Sequence, residues 1–82
     1  MSRLIREIEL DLKDARQAER RALAVEDTIR ERNALPEFLS AARRHHLAVR
    51  RRIAALQDEL LKAQQAAATR RAIDAIKREV QP

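Results

Sequence analysis

Between Leu4 and Ile29 the residues Ile5, Ile8, Leu12, Ala15, Ala18, Ala22, Val25 and Ile29 recur every three or four positions, which keeps them on one face of an α-helix. No proline or glycine interrupts this run. The stretch NALPEF, residues 33–38, then breaks it. Asn33 tolerates the left-handed conformation that closes many helices, Leu35 is pushed out of helical geometry by the proline after it, and Pro36 suits a first helical position. Beyond the break, Leu39, Ala42, His46, Val49, Ile53, Leu56, Leu60, Ala63 and Ala67 alternate spacings of three and four, the signature of a coiled-coil seam. The pattern predicts one domain over residues 1–82. Its first helix covers about residues 3–33 with Ser2 as N-cap, the turn about 34–36, and the second helix about 36–81.

A turn this short folds the helices antiparallel, with facing residue numbers summing to about 70. Leu12 then faces Leu56 and Leu60, Ala18 faces Ile53, and Ile29 faces Leu39 and Ala42. The small residues Ala15, Ala18 and Ala22 meet the larger Leu56, Ile53 and Val49. The expected fold is all-α, a two-helix antiparallel coiled-coil hairpin with an overhanging C-terminal helix. About 15 residues of the second helix find no partner in the first, roughly 22 Å at 1.5 Å per residue. Within that overhang Ile73, Ile76 and Val80 leave the 39-to-67 register and begin a new apolar stripe. An isolated helix of this length is marginal in water, so a stripe of aliphatics on it implies a partner. Ile73, Ile76 and Val80, with Leu60 and Ala67 at the end of the seam, are the expected partner-binding residues.

Composition narrows the class. The chain has 82 residues, 38% of them charged, with no glycine and two prolines, which suits long helices and leaves no sheet turns. Of the hydrophobic residues, 16 are alanines, so a large core is excluded. No cysteine is present, which removes disulfides, thiolate metal sites and a cysteine nucleophile. No stretch approaches the roughly 20 apolar residues of a membrane span. The opening MSRLIREIEL lacks the apolar centre of a secretory signal. A cytoplasmic protein without membrane insertion is expected.

The net charge of +5 lies beyond the turn: residues 1–33 carry eight basic and eight acidic side chains, residues 34–82 ten and five. RRHHLAVRRR, residues 43–52, concentrates it. On the heptad that begins at Leu39, the arginines fall on one flank of the helix, where Arg43, Arg44, Arg50 and Arg51 form a stripe fit for sequence-independent phosphate contacts. Against a nucleic-acid reading, no aromatics are placed to stack bases, and Glu19, Glu26 and Asp27 are expected opposite Arg51, Arg44 and Arg43. His45 and His46 are neighbours about 100° apart on a helix and cannot chelate one metal together. His46 falls in the seam, near Val25, where a polar residue fixes register at a cost in stability. No serine, threonine or carboxylate stands in a catalytic arrangement and no glycine-rich loop exists. No enzyme activity, catalytic residue, metal or cofactor is expected.

The opening MSRLIREIELDL, the tight turn and the restart LPEFLSAA resemble the small needle-protein co-chaperones of type III secretion, the YscE-like family, over residues 1 to about 63. That resemblance implies a cytoplasmic accessory subunit that binds a tetratricopeptide-repeat chaperone and helps keep an aggregation-prone needle subunit soluble. Uneven helices with an arginine- and alanine-rich surface are similar also to the FliJ and YscO export-stalk coiled coils, which engage a hexameric ATPase. The expected function is therefore a protein-interaction module in a type III secretion system. Its expected partner is a helical chaperone or secretion component. The alternatives are a small basic nucleic-acid-binding hairpin and a self-associating four-helix bundle.

Overall fold

The computed structural model describes residues 3–80. They form two helices, α1 over Ile5–Glu31 and α2 over Pro36–Val80, folded into an extended helical hairpin. It measures 74 × 18 × 15 Å, two helices thick and as long as α2 itself. Helix α1 starts after Leu4, whose carbonyl accepts from the Glu7 and Ile8 amides. Leu4 offers no side-chain cap, and Ser2 lies outside the described residues. Glu7 in the first turn complements the helix dipole.

The turn is built by its residues. Asn33 adopts φ 50°, its amide reaches Arg30 O at 3.2 Å, and the Ala34 amide reaches back to Ile29 O at 3.2 Å. This is a Schellman closure, with asparagine in place of the usual glycine. Pro36 is the first residue of α2, where its missing N–H costs nothing. The Leu35 carbonyl accepts from Phe38 N at 3.0 Å.

The core is a strip, not a ball. Ile8, Leu12 and Ala15 pack on Leu56, flanked by the half-buried Ile53, Leu60 and Ala63. Ala22 and Val49 continue the buried line towards the turn. Every α2 seam position from Leu39 to Ala67 is buried or half-buried, including His46. On α1, Ile5, Ala18 and Ile29 are half-buried.

One seam expectation is wrong. Val25 is 51% exposed, and Glu26 lies inside at 5%. Strict alternation of four and three from Ala15 runs through Glu19, Ala22, Glu26 and Ile29. The coiled coil holds that register and turns Val25 outward, whatever its hydrophobicity.

Candidate functional site: an open step, a polar node and a bare basic flank

Helix α1 begins beside the Ala63–Ala67 region of α2, and α2 runs on alone. This makes a step in the hairpin. The recess there has a volume of about 730 Å³ and is floored by Leu4, Ile5, Ile8, Ala63, Ala66 and Ala67. Arg3, Arg6, Lys62 and Arg70 stand around it with a single acid, Glu59. Past the step, residues 68–80 are exposed throughout, and Ile73, Ile76 and Val80 present their side chains to solvent. Leu60 packs against the core of the hairpin and Ala67 is half-buried. These two belong to the seam and its edge, Ala67 also flooring the recess, and the three overhang aliphatics are exposed.

The mouth of the step is held by a clamp that the apolar pattern gave no sign of. Arg3 Nε donates to Glu59 Oε1 at 2.7 Å and Nη2 to Oε2 at 2.8 Å, a two-pronged pair across the hairpin. Arg3 also pairs with Asp11 on α1. The hydrogen bond from Arg3 holds the Glu59 carboxyl below its ordinary value, and the carboxylates hold the guanidinium still more firmly charged. A carboxylate lowered in the folded state stabilises that state above its unfolded value and loses the contribution as pH falls through the folded one. Acidification below the usual carboxylate range should therefore release the start of α1. Chemical-shift NMR should show the helical signature of residues 5–8 weakening there in the wild type. In Glu59→Gln it should already be weak at pH 6 and change little on acidification. A wild-type response equal to that of Glu59→Gln would show the clamp to be idle.

Nearer the turn, His46 sits between two carboxylates of α1. Its Nδ1 donates to Glu26 Oε1 at 3.0 Å, and Nε2 lies 3.9 Å from Glu19 Oε2. Glu26 is also 3.6 Å from Arg30, one turn along α1. Among the described residues no buried side-chain nitrogen or oxygen lacks a partner. The histidine thus meets carboxylates instead of Val25. Strict heptad counting on α1 was the signal that would have found Glu19 and Glu26.

This node also corrects the expected ion pairs across the hairpin. Glu19 and Glu26 turn to His46, and Asp27 lies 3.8 Å from Arg30. Among the described residues, none of Arg43, Arg44, Arg50, Arg51 or Arg52 has an acidic partner within 4.0 Å. The basic flank is exposed, and its field is not cancelled by direct pairing. His45 is exposed as well. Among the described residues no group of three or more metal-ligating side chains comes together, and no helix is long and apolar enough to cross a membrane. No family model matches the chain, nor does any curated protein or solved structure match it significantly.

Proposed function

We propose that this chain is a protein-interaction module whose docking element is the α2 overhang together with the step at its base. One observation carries the reading: Ile73, Ile76 and Val80 stay on an exposed helix that has no partner in the hairpin. Burying them against another helix would supply the packing that an isolated helix of this length needs. The basic rim of the recess favours an acidic partner. In line with the co-chaperones and export stalks that the sequence resembles, the partner would be a helical chaperone or export component of a type III secretion system. The hairpin would act as its accessory subunit in the cytoplasm.

Affinity capture from the native host, read by mass spectrometry, tests this with Ile73→Ser/Ile76→Ser as the control. The variant should lose the captured partner while circular dichroism falls only slightly, because neither side chain packs on α1. Parallel loss of helix and capture would make the tail a structural element.

A second reading has an observation of its own, the unpaired arginines. If Arg43, Arg44, Arg50 and Arg51 contact phosphates, filter-retained nucleic acid should be lost steeply between low and moderate salt. Absence of retention at low salt removes this reading.

A further inference from the structure

Helix α2 carries a second apolar line that neither the seam nor the overhang uses. Leu47, Ala54, Leu61 and Ala68 recur at intervals of seven and are all exposed, Leu47 at 48% and Leu61 at 53%. Residues seven apart stand within about 20° of one another on a helix, so the four form a line. Ala54 follows the seam residue Ile53 by one position and precedes Leu56 by two, which turns this line away from α1.

The charges beside the line are arranged about its middle. On the Leu47 side of Ala54 stand the exposed Arg43, Arg44, Arg50 and Arg51. On the Leu61 side, at mirrored distances, stand Gln57, Asp58, Gln64 and Gln65. The four arginines stand at one end, and at the other stand the amides and Asp58, with Lys62 bound to Asp58 at 2.9 Å.

We propose that this face binds a second copy of the chain, antiparallel, with Ala54 on the two-fold axis. In that register Leu47 packs on Leu61 of the second copy, and the two Ala54 side chains let the helices approach closely. Antiparallel pairs bring like flanks together, so the symmetry can be checked residue by residue. Arg51 meets Asp58 of the second copy, Arg44 meets Gln65, Arg50 meets Gln57 and Arg43 meets Gln64. Each of these four arginines gains an acceptor and none meets another arginine. A parallel pair would stack four arginines on four, which like-charge repulsion opposes. Asp58 reaches Lys62 at 2.9 Å within its own exposed helix turn, a contact weak enough to yield to a second partner. This interface is independent of the overhang, so either proposal can fail alone.

The test uses the full chain, which contains no native cysteine. Sedimentation equilibrium over a concentration series should show a reversible monomer–dimer equilibrium. Under mild oxidation, Ala54→Cys should form a disulfide-linked dimer. Leu47→Cys alone should not, since its copy would lie two heptads away, about 21 Å. A mixture of Leu47→Cys and Leu61→Cys chains should cross-link. Arg51→Asp should raise the dissociation constant by about tenfold, and Arg51→Asp/Asp58→Arg should restore it. A monomer at every concentration overturns the proposal. So does a dimer that links through Leu47→Cys alone, or one that Ala54→Cys fails to link. Circular dichroism on each variant separates lost pairing from lost helix.

Discussion

Leu56→Ala should lower the stability of the hairpin by about 2–5 kcal/mol, enough to leave much of the population unfolded at room temperature. Leu56 is 7% exposed and packs against Ile8, Leu12 and Ala15, the whole of the main core cluster. Truncation removes the one large buried side chain that α2 contributes to that cluster. A two-helix strip can collapse partly around the cavity, which favours the lower end of the range. The total is also small, because a chain of this size holds only a few kcal/mol in its core. Urea unfolding followed by circular dichroism measures the effect. Leu10→Ala, at a position 54% exposed on α1, should stay within about 0.5 kcal/mol of the wild type. Equal effects at the two positions would mean that the helices are not held by this seam.

The second large effect belongs to the His46 node. Glu26→Leu leaves a half-buried imidazole without its acceptor and should cost about 1–3 kcal/mol. His46→Leu alone leaves the Glu26 carboxylate, 5% exposed, with only its 3.6 Å contact to Arg30, and should cost a similar amount. Glu26→Leu/His46→Leu should be at least as stable as the wild type, since a polar pair in a seam is replaced by apolar packing. Its cost should appear elsewhere, as slipped registers and higher assemblies, because an all-aliphatic seam no longer specifies one alignment. A double-mutant cycle by thermal melting, joined to sedimentation velocity, reads both. Strict additivity of the two single changes would sink the idea that the pair acts as a unit.

This node also marks where the pattern of the chain stops being sufficient. The α2 seam is readable because its alternation from Leu39 to Ala67 is unbroken and each position but one is apolar. The turn is readable because Asn33 and Pro36 each have a backbone preference that acts without any partner. On α1 two faces compete. Choosing the apolar residue at each step gives Ala18 and Val25, and keeping the heptad strict gives Glu19 and Glu26. Hydrophobicity alone favours the first set. His46 favours the second, because the histidine needs acceptors on the facing helix and only the carboxylates supply them.

The basic flank follows the same logic. Its place on α2 follows from helix geometry. Its freedom from counter-ions does not, since that depends on where the α1 acids are already engaged. Arg3 and Glu59 were equally hidden: they are 56 positions apart and neither belongs to an apolar stripe. Only the folded-back chain brings them into reach.

The sequence by itself determined the two helices, the turn, the antiparallel fold-back and the overhang of α2, because each follows from backbone preferences and from a periodicity that a single helix expresses alone. The tertiary structure decided which residues on the border of the α1 stripe go inside, which acids are occupied and which arginines remain bare. Those outcomes are set by contacts between side chains distant in sequence, and a part-buried hydrogen bond to a histidine outweighed the hydrophobicity of one valine.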